Sequence, residues 1–216
     1  MVPPKVFLSS INTVLIDDKN ILGGTTLFQE NECFKINNSY SNEWLKKEIE
    51  TLKSLKNLTI KTRTSLAAYH SYNYLLAREN LTDHLDINEK KDKIRQRLWK
   101  IRAKKVIIAT GAMERPLIFN NNDRPGIMLS SSIKKYIDFY GVKCGQKISL
   151  FTNNDSTYET AISLNNSGVS VNSIVDIRDK TNSLIVKQAE KLGIKVHWKS
   201  SVVNTNGYKK INSIEI

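Results

Sequence analysis

No apolar run in this chain approaches the roughly 20 residues that a membrane-spanning helix needs. The opening Met1-Val2-Pro3-Pro4-Lys5 lacks the apolar stretch of a secretory leader, so a cytoplasmic protein that does not enter membranes is expected. Cysteine is nearly absent. Cys33 and Cys144 stand far apart, with no CxxC and no metal-ligand spacing, which argues against a disulfide framework or a zinc module and leaves two reduced, buried thiols as the expectation. Acid is in deficit: 21 Asp and Glu stand against 33 Lys and Arg, a formal charge of +12. The most telling shortage is glycine. None precedes Gly23, so the GxGxxG turn that cradles a pyrophosphate on a first strand-to-helix connection is not in the chain.

The basic excess has a partly trivial source, since Lys, Asn and Ile are abundant together, as AT-rich coding DNA favours. Its densest stretch is Lys90 to Lys105. Read as a strand over Arg95–Ala103, that stretch places Arg95, Arg97, Trp99, Ile101 and Ala103 on one face and Gln96, Leu98, Lys100 and Arg102 on the other. This is not the clean basic face of a nucleic-acid reader, and no nucleic-acid partner is expected. A solvated hairpin or a surface facing an acidic partner subunit fits better.

A content of 40% hydrophobic and 25% charged residues in 216 is that of a globular protein of one or two domains. Thr13-Val14-Leu15-Ile16 reads as a short strand ending at Asp17-Asp18. Ser41 to Leu55 reads as an amphipathic helix, with Ser41 as N-cap and Trp44, Leu45, Ile49, Leu52 and Leu55 at helical spacing. Leu58–Ile60 is the next strand, and Thr64–Leu81 with Arg95–Ala103 predicts a small antiparallel layer joined by a charged turn. Val106-Ile107-Ile108-Ala109 predicts a strand buried on both faces, stopping at Thr110-Gly111. Beyond the Pro116–Pro125 loop, Ser130–Tyr140 predicts a helix. Strands at 147–151, 169–175 and 194–198 then alternate with helices at 156–167 and 181–192, and two further strands follow at 200–206 and 210–216. The expected fold is α/β, of the two-dinucleotide-binding-domain (FAD/NAD(P)-linked oxidoreductase) kind with a small antiparallel layer. Residues 1–115 would form an incomplete first domain lacking its glycine loop and first central strand, and residues 116–216 a second nucleotide-fold-like domain.

Three places bear on chemistry. A dinucleotide fold sets a carboxylate at the end of its second strand to accept hydrogen bonds from the adenosine ribose. Asp18 occupies such a strand end, ahead of Gly23-Gly24, and an acid there favours NAD or FAD over NADP. The Ala109-Thr110-Gly111 strand end recurs where flavoprotein chains leave the first domain beside the cofactor, and Gly111 there permits a close backbone approach. The turn after the strand at 147–151, Thr152-Asn153-Asn154-Asp155-Ser156-Thr157-Tyr158, has no glycine, so a pyrophosphate would be obstructed; Asp155 or Ser156 caps the next helix instead. Thiol–disulfide chemistry is disfavoured, because Cys33 has no partner five residues away. His70, His84 and His197 fall in separate segments and are read as structural.

The text Glu114-Arg115-Pro116 with Asn121-Asn122-Asp123-Arg124-Pro125-Gly126 is far more specific than Ala-Thr-Gly. It resembles the α subunit of heterotetrameric sarcosine oxidase. Similar text recurs in Val14–Gly24, Tyr72–Leu75, Thr82–Leu85, Arg95–Trp99, Phe151–Ala161 and Val175–Arg178. The resemblance implies an assembly with β, γ and δ subunits that oxidatively demethylates sarcosine to glycine and hydrogen peroxide. The one-carbon unit would pass to tetrahydrofolate and electrons through FAD and FMN to oxygen. By position it implies that Asp17, Asp18 and Lys19 line the ribose of NAD, that Thr25 lies by the cofactor, and that the Leu66 backbone lies against adenine. No catalytic or metal-binding residue is implied. The chain matches about a quarter of such a subunit, so it is expected to be inactive alone. Alternatives are an α-type subunit of a related amine or opine oxidase, against which Asn121-Asn122-Asp123 argues, and a non-catalytic scaffold that binds a partner through its basic surface.

Overall fold

The computed structural model describes residues 11–28 and 35–216. The expected helix end at Lys5–Asn12 falls almost wholly outside the described residues, as does Cys33. The chain divides into two compact units, with the boundary between Gly111 and Ala112.

In the first unit, β1 (Thr13–Ile16) pairs in parallel with β4 (Leu58–Lys61), Thr13 opposite Leu58 and Ile16 opposite Lys61. Helix α1 (Ser41–Ser54) makes the crossover and buries Leu45 and Leu52. A small hairpin, β2 (Lys35–Ile36) and β3 (Ser39–Tyr40), precedes it, turning through Asn37 and Asn38 at φ 50° and 65°. Tyr40, not Ser41, occupies the cap position; Ser41 is the first helical residue, and its Oγ is buried without a hydrogen-bond partner.

The antiparallel layer is three strands in the order β5-β6-β7: β5 (Thr64–His70), β6 (Tyr74–Asn80) and β7 (Gln96–Arg102). The single strand read over Thr64–Leu81 is therefore a hairpin. Its break is at Ser71–Asn73, where Tyr72 and Asn73 take φ 59° and 53° and reverse the chain. The connection to β7 carries a short helix, α2 (Ile87–Lys90).

Val106–Ala109 is not the buried strand that its composition predicts. No strand pairs with it, its backbone makes no hydrogen bond among the described residues, and Ile107 and Ile108 are 61% and 65% exposed. The reason is topological. In a doubly wound sheet of order 3-2-1-4, β1 and β4 take positions two and three, and Val106–Ala109 takes position four. No described strand fills position one, so this apolar segment lacks the neighbour it would pair with.

The second unit has a complete core. Strands β8 (Lys147–Thr152), β9 (Ser170–Asp176) and β10 (Val196–His197) form a parallel sheet in the order β10-β9-β8. The crossovers are α4 (Ser156–Asn166) and α5 (Leu184–Lys191), and α4 packs on β8 and β9 between α3 (Ser130–Asp138) and α5. Ile133, Ile137, Leu150, Tyr158, Leu164, Ile174 and Val186 fill the interior. Between α3 and α4, Lys134 Nζ donates to Asp138 at 2.7 Å and to Ser163 at 3.1 Å, an ion pair that is largely buried. An antiparallel hairpin, β11 (Asn204–Gly207) and β12 (Ile211–Glu215), completes the unit. Cys144 is exposed on the connection between α3 and β8, outside this core, and so is not the buried thiol expected.

Candidate functional site

The carboxyl end of β1 is held by backbone bonds rather than by packing. Asp17 N donates to Lys61 O at 2.9 Å, Thr64 N to Asp17 O at 2.9 Å, and Arg63 N to Lys19 O at 2.8 Å. The loop Asp17–Lys19 is thereby locked onto the β4–β5 turn, where Arg63 takes φ 50°. Asp17 spends its Oδ1 on the Lys19 backbone N–H at 2.8 Å, closing a local turn. Asp18 is left facing outward, its side chain 57% exposed and ion-paired at 2.5 Å with Lys19 Nζ. An exposed pair of this kind is weak and easily re-formed around a ligand hydroxyl.

Gly23 and Gly24 follow, at φ 136° and 58°, with Thr25 exposed in the 3-10 turn Gly24–Phe28. Their duties differ. A Cβ on Gly23 would stand 2.8 Å from Leu45 Cδ2 and 2.9 Å from Leu27 Cγ, so this glycine is required by the packing of α1. A Cβ on Gly24 would meet nothing within 4 Å. Leu66 lies on β5, an edge strand, so alternate backbone groups face away from β6; its side chain is 46% exposed, beside a bulge between Leu66 and Ala68. Thr110 and Gly111 are exposed, Gly111 at φ 71°, and no hydrogen bond joins them to the β1 end.

At the corresponding place in the second unit, the end of β9, the chain has closed the site with its own side chains. Asp176 is fully buried. Its Oδ1 accepts from Arg178 N and Nε, each at 3.0 Å, and its Oδ2 from Tyr158 OH at 2.8 Å and Arg178 Nη2 at 2.7 Å. Four donors use the acceptor capacity of one carboxylate, leaving none for a ribose. Burial alone would raise the Asp176 carboxyl, but the bonds from Arg178 and Tyr158 outweigh it and hold it below the usual carboxylate range. Burial, and then the bond to Asp176, push the Tyr158 phenol well above its ordinary value. Tyr158 stacks on Trp198 at 6.3 Å, and Arg178 reaches Asp155 at 2.8 Å.

The β8–α4 turn is occupied in the same way. Asn154 Oδ1 accepts from Ser156 N at 3.0 Å and Ser156 Oγ at 2.6 Å, so Asn154 covers the helix start in place of Asp155 or Ser156. Arg178 was the residue most easily missed from sequence; its only signal is its place two residues beyond a strand-end acid.

The distinctive 114–126 text does structural work. Glu114 accepts from the N–H groups of Ser130 and Ser131 at 3.2 and 2.7 Å, capping α3 from a distance. Arg124 donates to Gly207 O, to Thr205 Oγ1 at 3.3 Å and to Thr205 O at 3.4 Å, while Asn121 Nδ2 reaches Asn204 Oδ1 at 2.9 Å. The loop is thus clasped to β11. Among the described residues, no group of three His, Cys, Asp or Glu could hold a metal, and no helix is long and apolar enough to cross a membrane.

This architecture is that of the FAD- and NAD(P)-dependent oxidoreductases. The thioredoxin reductase of T. acidophilum superposes with a TM-score of 0.61 at 16% identity, over 93% of this chain and 60% of that one. The L-proline dehydrogenase of P. horikoshii gives 0.58 at 21%, over 93% and 33%. By sequence, the chain is a relative of sarcosine oxidase subunit alpha. It is 37% identical to that of Corynebacterium sp. (strain U-96) over 197 residues and 32% identical to that of Rhizobium meliloti (strain 1021) over 210. It spans about a fifth (20%) of those subunits, which cover 91% and 94% of it. No family model matches.

Proposed function

We propose that this chain is the adenosine-holding part of a first dinucleotide domain, followed by a ligand-free second one, in a sarcosine-oxidase-type α subunit. The supporting observation is Asp18: an exposed carboxylate at the end of a parallel strand, on a loop locked by three backbone hydrogen bonds. Such a carboxylate accepts both hydroxyls of an adenosine ribose and repels a 2′-phosphate, which fits NAD or FAD rather than NADP, and the resemblance to sarcosine oxidase subunit alpha favours NAD. Asp17 shapes the loop, Lys19 balances the carboxylate, Thr25 lies along the cofactor, and the edge-strand backbone at Leu66 meets adenine. Gly23 and Gly24 set the course of the chain between them, and Thr110 and Gly111 mark the exit from the domain. When bound, NAD supplies a hydride-accepting ring; these residues do no more than hold its far end.

In the complete assembly the reaction is oxidation of sarcosine to glycine, with the one-carbon unit passed to tetrahydrofolate and the two electrons carried through FAD and FMN to oxygen, which is reduced to hydrogen peroxide. The rest of the α subunit, with its glycine loop and folate domain, and the partner β, γ and δ subunits supply what this segment does not contain. The pyrophosphate cradle is not among residues 1–216, so this chain alone holds NAD weakly and turns over nothing.

The test is a chimera in which residues 11–216 replace the matching segment of a curated α subunit, with NAD measured per purified subunit. NAD retention, lost about tenfold or more in Asp18→Ala, is the expected result. A folded chimera without NAD, an Asp18→Ala chimera that keeps it, or firm NAD binding by the isolated chain overturns the reading.

A further inference from the structure

The outer face of the β5-β6-β7 layer carries cations with no carboxylate partner among the described residues. Residues directly opposite in an antiparallel pair project to the same side. Leu75, Ala77 and Glu79 share one side with Ile101, Trp99 and Arg97, and Leu75 and Ala77 are buried. Tyr74, Leu76 and Arg78 share the other with Arg102, Lys100 and Leu98. On this outer side Arg78, Lys100 and Arg102 are exposed, and Leu98 is 57% exposed between them.

The nearby acids are spent elsewhere. Glu79 accepts from Trp99 Nε1 at 2.7 Å on the inner side and pairs there with Lys61 and Arg97. Asp83 holds Arg95 at 2.5 Å and Gln96 at 3.1 Å. Among the described residues no carboxylate pairs with Arg78, Lys100 or Arg102, and Arg102 only lies over the Tyr74 ring, 5.2 Å from its centroid.

We propose that this face docks an acidic surface of a partner protein chain. Lys100 and Arg102 project from one strand about 7 Å apart. With Arg78 they frame Leu98, Leu76 and Tyr74, giving an apolar centre with a cationic frame, the anatomy of a protein interface. A phosphate backbone asks for cations without apolar filling. A second copy is a poor occupant, because two chains of +12 repel. The proposal deepens the multi-subunit part of the function above and does not depend on the nucleotide part.

The experiment measures binding of a fluorescently labelled peptide of alternating Glu and Leu to the 216-residue chain, at physiological ionic strength. Lys100→Glu/Arg102→Glu should weaken binding about tenfold or more, while Lys91→Glu/Lys93→Glu, with the same change in charge, leaves it within about twofold. Equal losses in the two variants would reduce the effect to bulk charge and overturn the proposal. So would tighter binding of an oligothymidylate through the same residues, which would reassign the face to nucleic acid. Chemical-shift changes in the unmutated protein should fall on β6 and β7; changes elsewhere also overturn it. Asp18→Ala leaves peptide binding unchanged, so this proposal and the nucleotide reading fail separately.

Discussion

Asp18 and Asp176 are both acids at strand ends of α/β units, yet their surroundings give them opposite fates. Asp18 faces out with a single exposed partner, while Asp176 is buried beneath four donors. Arg178→Ala leaves Asp176 buried and charged with half its partners, so the second unit should lose about 3–5 kcal/mol, read by denaturant unfolding. The Asp176 carboxyl is held below its unfolded value. Its stabilisation is therefore complete above the unfolded pKa of about 4 and is lost as pH falls through the lower folded value. An acid titration followed by circular dichroism should show this loss below about pH 4 in the unmutated chain, and a flatter profile in Asp176→Asn. Gly23→Ala meets both a left-handed φ of 136° and two leucines, and should cost more than Gly24→Ala, which pays only about 1 kcal/mol for its φ. The difference in melting temperature between the two variants checks this.

At the scale of elements, the chain's most specific text proved to be joinery. Glu114 caps α3 and Arg124 clasps β11, so Arg124→Ala should loosen the β11–β12 hairpin by about 1–3 kcal/mol, read as faster amide exchange there with β8 and β9 unchanged. Val106–Ala109 illustrates the opposite relation between text and structure. Its composition is that of a central strand, but a strand forms only against neighbours, and no described strand stands beside it. Trypsin should therefore cut first at Lys104 or Lys105, before any site within β8–α5. Early cleavage inside that sheet would contradict the architecture.

Across the whole molecule, the two units differ in what the described residues pack together. The second holds the buried cluster from Ile133 to Ile194, while in the first Val14 is 46% exposed and Val106–Ala109 pairs with no described strand. Calorimetry should resolve two transitions, with the first unit melting lower, and Asp176→Asn should move only the upper one.

Residue type and periodicity were enough to read the βαβαβ alternation, the amphipathic α1, the strand-end Asp18 and the glycine-free turn, because each is a local property of consecutive residues. They were also enough to place Arg97 and Trp99 on one face of β7 and Lys100 and Arg102 on the other. Which of those faces is covered, the reversal at Ser71–Asn73, the exposure of Val106–Ala109 and of Cys144, and the covering of Asp176 at the end of β9 by Arg178 were decided only in three dimensions. Each of these depends on which residues distant in the chain lie alongside.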